Sequence, residues 1–216
     1  MPYVSRWIRF LMHPYVMMAY FVLIAWVYMY VDGPLALYMH ACSLETKVPL
    51  LFWITQLART TPYLVLLPFV AVFFRYVKHS KQQELRIWFL WVTIVLTSGI
   101  CFIIKILLGR ARPALLFDQH IFGFYGYHTS GLYHSLPSGH TNFMTTLVLS
   151  LTLLYPKQRW IFLTIATIVL ATRVLLTYHY LSDVLATIYL VMLEYQLLLY
   201  MVKRECPLLW TRLRVI

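Results

Sequence analysis

Apolar residues in this chain come in long, nearly unbroken runs: Tyr15 to Val31, Pro62 to Val77, Ile87 to Leu108, Thr141 to Tyr155, Trp160 to Tyr178 and Leu181 to Val202. The runs do not alternate with polar residues, so they read as helices that satisfy their own backbone groups and not as strands of a barrel. A span needs about 20 residues, and the pattern therefore predicts an all-α polytopic membrane protein with six transmembrane helices. Asp32, Gly33 and Pro34 end the first run. Arg6 and Arg9 ahead of it also describe a signal peptide, but no small-residue cleavage site follows, so the run reads as a span. The stretch from Leu44 to Arg59 carries Glu45, Lys47, Pro49 and Gln56, which suits a short interfacial helix better than a span. No repeat, low-complexity tract or linker divides residues 1–216, so one domain is expected, with its polar motifs between about 87 and 200.

Composition agrees: 62% of residues are hydrophobic and only 12% charged, against about 25% charged in soluble proteins. The net charge of +11 is distributed unevenly. Lys and Arg collect in cytoplasmic loops. On the six-span reading twelve of the eighteen cations fall on that side: Arg6, Arg9, Arg75, Lys78, Lys81, Arg86, Lys157, Arg159, Lys203, Arg204, Arg212 and Arg214. Both termini are then cytoplasmic, in a multi-pass protein of the inner membrane. The remaining six, Lys47, Arg59, Lys105, Arg110, Arg112 and Arg173, face outward. Cations placed against the insertion rule need another cause, and a shared anionic ligand supplies one. The basic residues form no continuous soluble surface, so no nucleic-acid partner is expected.

Four of the six outer cations lie in three short stretches that hold the candidate chemistry. Lys105 ends the third span and Arg112 follows across the Gly109 to Pro113 exit, so an ammonium and a guanidinium fork face one point. Pro137-Ser138-Gly139-His140 opens the fourth span, where free backbone N–H groups favour an anion, Ser138 can cap and Gly139 allows close approach. Arg173 lies near the end of the fifth span, and His179 and Asp183 are four residues apart at the start of the sixth. If helical, that spacing stacks the carboxylate on the imidazole, fixes its tautomer and frees the other nitrogen as a nucleophile. Cations, N–H groups, a nucleophile and an acid are the parts of phosphoryl transfer. No metal is required. Asp118, His120, His128 and His134 fit no zinc spacing, so neither metal nor cofactor is expected. Cys42, Cys101 and Cys206 fall in separate segments and imply no disulfide.

Lys105-x6-Arg112-Pro113, Pro137-Ser138-Gly139-His140 and Arg173-x5-His179-x3-Asp183 together resemble, in order, the three motifs of the type 2 phosphatidic acid phosphatase superfamily. Thr172 stands where the third motif commonly has Ser, a change that keeps the hydroxyl. The resemblance implies that His179 attacks phosphorus to form a phosphohistidine and that Asp183 orients it. It also implies that His140 protonates the leaving oxygen and later activates water, while Lys105, Arg112, Arg173, Ser138 and Gly139 hold the phosphate. The implied activity is metal-independent hydrolysis of a lipid phosphate or diphosphate on the periplasmic face.

Undecaprenyl diphosphate is the first expectation for the substrate, followed by lipid A phosphate and then phosphatidylglycerophosphate or phosphatidate. A transporter of anions or phospholipids would use the same cations, but it would need no nucleophile, and the spans show no inverted repeat. A vanadate haloperoxidase would share the motifs without the spans. The aromatic loop between Arg112 and Pro137, with Phe122, Phe124, Tyr125, Tyr127 and Tyr133, reads either as a lid touching lipid or as an interfacial belt. Glu194, in the last span, is expected to pair internally.

Overall fold

Every apolar run folds as helix, and the described residues contain no strand. The computed structural model describes residue 10 and residues 12–214. Arg6 and Arg9, and with them the expected cytoplasmic placing of the amino terminus, lie outside the described residues, as does the side chain of Arg214. The helices are α1 (Pro14–Tyr30), α2 (Asp32–Cys42), α3 (Leu44–Lys47), α4 (Pro49–Gln56), α5 (Thr60–Tyr76), α6 (Lys81–Leu108), α7 (Pro113–Gln119), α8 (Gly139–Leu154), α9 (Arg159–Leu175), α10 (Leu181–Glu205) and α11 (Pro207–Arg214).

By length and apolarity three segments can cross a membrane: Lys81–Leu108, Pro156–Leu175 and Leu181–Glu205. The number rises to five if α1 with α2–α3, bent by 55°, and α4 with α5, bent by 42°, each form one broken span. The expected count of six differs because α8 has only 16 residues, about 24 Å of helix against a hydrocarbon core of about 30 Å. Its position explains the shortness. α8 packs against α6, α9 and α10 and buries Thr141 through Thr146, so protein and not lipid meets its surface.

The expected interfacial helix is two pieces, α3 and α4. Val48 precedes Pro49 and takes φ −132°, ψ 73°, because the proline ring excludes helical backbone from the residue before it. Leu50 and Trp53 of α4 are exposed, while Thr55 is buried. α4 thus has an outer apolar face and an inner polar contact.

Ala58, Leu90, Ile94, Phe143, Met144, Val148, Ala166 and Val169 form one core, joining the α4–α5 turn to α6, α8 and α9. Phe89, Leu154, Tyr195, Leu199 and Leu213 form a second at the other end, beneath α11. Between α6 and α8 runs a seam of hydroxyls, with Thr97 to Thr146 at 3.0 Å and Thr93 to Ser150 at 3.3 Å. Small polar residues of this kind let helices approach closely in lipid. Chain direction alternates through α6, α8, α9 and α10, so the carboxyl ends of α6 and α9 meet the amino ends of α8 and α10. All three motifs lie at that junction.

Candidate active site

α6 stops at Gly109, whose φ of +52° is left-handed. A Cβ there would collide with the Gly126 carbonyl oxygen, so only glycine allows the loop after α7 to fold back across the helix end. That loop pairs along residues 106–112: His128 N–H donates to the Ile106 carbonyl, Tyr125 to Gly109, Ala111 to Gly123, Arg112 to Leu132 and Ser135 to Arg110. It also delivers the His134 carbonyl, which accepts from Lys105 Nζ at 3.3 Å and from Arg112 Nη2 at 3.4 Å. The ammonium and the guanidinium expected to face one point therefore converge on one oxygen. Arg112 Nε is buried without a hydrogen-bond partner among the described residues.

Ser138 is the N-cap of α8, its hydroxyl accepting from Thr141 N–H at 3.4 Å, which is the capping role its place in the sequence suggests. Its own N–H donates to Thr187 Oγ1 at 2.8 Å and so bolts the start of α8 to α10. The Cβ position of Gly139 lies 3.7 Å from Lys105 Nζ, placing the first turn of α8 beside the first motif. His140 is half-buried on that turn, and the charges of Arg173, Lys105, Arg59 and Arg112 act on it.

Arg173, on the last turn of α9, is buried. Its Nη1 donates to Thr55 Oγ1 at 2.6 Å, and its guanidinium carbon lies 4.6 Å from the centre of the Tyr178 ring. Tyr178 OH in turn donates to Glu45 at 2.7 Å. The α3–α4 segment therefore holds Arg173 twice, once directly and once through Tyr178. Arg173 Nε, like Arg112 Nε, is buried and unpartnered among the described residues.

His179 and Asp183 come together differently from the expected helical pair. α10 begins only after Tyr180, and His179 sits in the preceding loop with Nδ1 3.8 Å from Asp183 Oδ2, longer than a hydrogen bond. Asp183 is engaged elsewhere: Oδ1 accepts from Arg110 Nη1 at 2.6 Å, and Oδ2 from Ser135 Oγ at 2.6 Å and from Tyr180 N–H at 3.0 Å. Burial pushes the His179 imidazole down to about 3, with Arg112 and Arg173 adding to the effect and the Asp183 carboxylate opposing it. The ring is neutral near pH 7.

Arg110 is the residue that motif spacing does not reveal. It is 1% exposed and bridges two carboxylates, Asp183 and Asp32, with Nη2 2.6 Å from Asp32 Oδ2. Asp32 also accepts from Ser182 N–H at 3.0 Å and from the Ser182 hydroxyl. The Arg110 guanidinium carbon lies 4.9 to 5.2 Å from the Tyr180, Tyr28 and Phe124 rings. The aromatic loop is thus, in part, a cage around this cation, as Phe122 stacks on Tyr28 at 5.1 Å.

The loop histidines take separate structural positions: His134 Nε2 bonds the His128 carbonyl at 2.8 Å, and His128 stacks on Tyr133. No three His, Cys, Asp or Glu among the described residues gather as metal ligands. Glu194 does not find the expected partner: neither carboxylate oxygen makes a hydrogen bond among the described residues. It lines an apolar groove of about 550 Å³ between α6 and α10.

Comparison with known proteins adds two findings. The family model described as PAP2 superfamily matches residues 86–205, more than half of the chain. A lipid A 1-phosphatase of Rhizobium etli is 33% identical over 111 residues, covering 50% of this chain and 48% of that protein. A lipid A 1-phosphatase of Rhizobium johnstonii is 33% identical over the same length, covering 50% and 46%. The chain therefore spans about half the length of the curated relatives it matches. No solved structure gives a significant match.

Proposed function

Because the chain belongs to the PAP2 superfamily, we propose that it is an integral membrane phosphatase that removes phosphate from a lipid headgroup through a phosphohistidine at His179. The observation that carries this reading is the convergence of Lys105 and Arg112 on the His134 carbonyl oxygen ahead of α8, with a buried, neutral His179 within reach of the Arg112 and Arg173 charges. Nδ1 of His179 faces Asp183, so Nε2 is the attacking nitrogen. It forms the N–P bond as the bond to the leaving oxygen breaks, and His140, protonated once the charge of the bound phosphate offsets the cations around it, gives that oxygen a proton. His140, now neutral, takes a proton from water. The water oxygen attacks phosphorus, the N–P bond breaks, and inorganic phosphate leaves. Lys105, Arg112, Arg173 and the first N–H groups of α8, next to Ser138 and Gly139, bear the charge on the equatorial oxygens.

The reading has six spans, α8 being the short central one, with the site on the periplasmic face. The distribution of Lys and Arg supports that orientation. A lipid substrate suits a site at the end of a bundle, where a phosphate meets cations while its tail stays in hydrocarbon. The names of the Rhizobium relatives favour lipid A 1-phosphate. Undecaprenyl diphosphate is the second candidate.

The test is phosphate release by the purified protein from lipid A, undecaprenyl diphosphate, phosphatidylglycerophosphate and phosphatidate, with and without His179→Ala. We expect one envelope lipid to be preferred, and the variant to lose at least about 10³-fold in kcat. Turnover that survives in His179→Ala would sink the phosphohistidine. Flux of intact lipid or anion in that variant would instead favour a carrier.

A further inference from the structure

The motif resemblance gives Asp183 the task of orienting His179, yet both carboxylate oxygens are committed to other groups. Oδ1 accepts from Arg110, and Oδ2 accepts from the Ser135 hydroxyl at 2.6 Å and from Tyr180 N–H at 3.0 Å. His179 Nδ1 stands 3.8 Å from Oδ2, is buried, and has no hydrogen-bond partner among the described residues. A closure of about 1 Å would bring it to hydrogen-bonding distance. Of the two donors on Oδ2, Tyr180 N–H is backbone, fixed at the start of α10, whereas the Ser135 hydroxyl swings on a side-chain bond. Ser135 is therefore the exchangeable competitor of His179. It is fully buried, so water does not compete for its hydroxyl.

Ser135 is also tied to the phosphate cradle. The peptide group that it shares with His134 uses both of its polar atoms. The carbonyl accepts from Lys105 Nζ at 3.3 Å and from Arg112 Nη2 at 3.4 Å, and the N–H donates to the Arg110 carbonyl at 3.0 Å. A peptide group is planar and stiff, so a displacement of that carbonyl carries the Cα of Ser135 with it. Both contacts to the cations are long, and their acceptor is neutral. A charged phosphate oxygen is the stronger acceptor for an ammonium and a guanidinium. Phosphate entering between Lys105 and Arg112 thus competes with the His134 carbonyl for its donors.

Resting on the phosphatase reading, we infer that Ser135 is a positioning residue that exchanges with His179 on Asp183 as phosphate binds. Phosphate draws Lys105 and Arg112 away from the His134 carbonyl, the peptide group shifts, and the Ser135 hydroxyl leaves Oδ2. Nδ1–H of His179 then donates to Oδ2, which fixes the tautomer and leaves Nε2 free to attack. Arg110 keeps its hold on Oδ1, so the carboxylate stays anchored through the exchange. The nucleophile is supported only when a phosphate lies in the cradle.

The exchange predicts a sign that simple support of Asp183 does not. In wild type, phosphate binding includes the loss of the bond from Ser135 to a carboxylate. Ser135→Ala has no such bond to lose. Titration calorimetry of inorganic phosphate into the purified full-length protein should give binding about tenfold tighter in Ser135→Ala than in wild type, the size of a hydrogen bond to a charged group. Ser135→Cys keeps a weak donor in the same place and should fall between the two. It carries the test alone if Ser135→Ala does not fold. Phosphate affinity that is unchanged or weaker in these variants overturns the inference and makes Ser135 a fixed support of Asp183. Failure of the phosphatase reading looks different: wild type would then release no more phosphate than His179→Ala from any of the lipids above.

Discussion

The imidazole of His179 is held neutral by burial, and that condition, which suits a nucleophile, has a cost for stability. Burial lowers the folded-state value to about 3, whereas the unfolded chain protonates near the ordinary 6.5. Below about pH 6.5 the unfolded state therefore binds a proton that the folded state does not. Stability is unaffected above that value and falls as pH drops from 6.5 towards 3, by about 1.4 kcal/mol for each unit. At pH 5 this amounts to about 2 kcal/mol. His179→Asn removes the titration. We expect the wild type to lose more thermal stability than His179→Asn when both are moved from pH 7.5 to pH 5 in the same detergent. Equal losses in a melting comparison would mean that His179 is already protonated, or open to water, in the folded protein.

Three separate parts of the fold depend on Arg110. It joins the α1–α2 bend through Asp32, the start of α10 through Asp183 and Ser182, and the aromatic loop through the Phe124 ring. Removing one member of a buried ion network costs about 3–5 kcal/mol, because the partners stay buried with uncompensated charge. Arg110→Met strands two carboxylates and is expected to be the more damaging single change. Adding Asp32→Asn to it should restore part of the lost melting temperature. The double variant still lacks the anchor of Asp183, so kcat stays low while KM changes little. A double variant no more stable than Arg110→Met would show that charge is not what the network holds. The sequence told this network only in part. Lys105, Arg112, Ser138, Gly139, His140, Arg173, His179 and Asp183 were legible because each carries its chemistry at a fixed spacing from a helix end. Asp32 read as the residue that stops the first run, and Thr55 as one polar position in an interfacial stretch. Their partners lie 78 and 118 residues away, a separation over which no local pattern survives. The break between α3 and α4 has its signal in Pro49, although the stretch read as one helix. The shortness of α8 was visible too, in a run from Thr141 to Tyr155 that falls short of a full span, but the neighbours that cover it were not.

At the scale of the whole molecule, charge and chemistry divide between two ends. The site, the aromatic loop and the six cations around it lie where α6 and α9 finish. Arg75, Lys78, Lys81, Lys157, Arg159, Lys203 and Arg204 lie at the other, with exposed Cys206 beside them at the end of α10. The insertion rule then makes a prediction that does not depend on catalysis: the Cys206 end faces the cytoplasm and the Tyr127 loop faces outward. Tyr127 is 72% exposed at the loop tip, which makes it a tolerant place for a reporter. In a Cys42→Ser background, a membrane-impermeant maleimide applied to spheroplasts should label Tyr127→Cys at once. Cys206 should react only after permeabilisation. Cys101 is buried and should stay silent in both conditions. The reverse pattern would place the site on the cytoplasmic face. The outer position of Lys105, Arg112 and Arg173 would then need no explanation from a ligand, because cations are ordinary on that side. The phosphatase chemistry would survive that result, but the substrate would have to be a lipid whose phosphate is presented to the cytoplasm, and the periplasmic reading would fall.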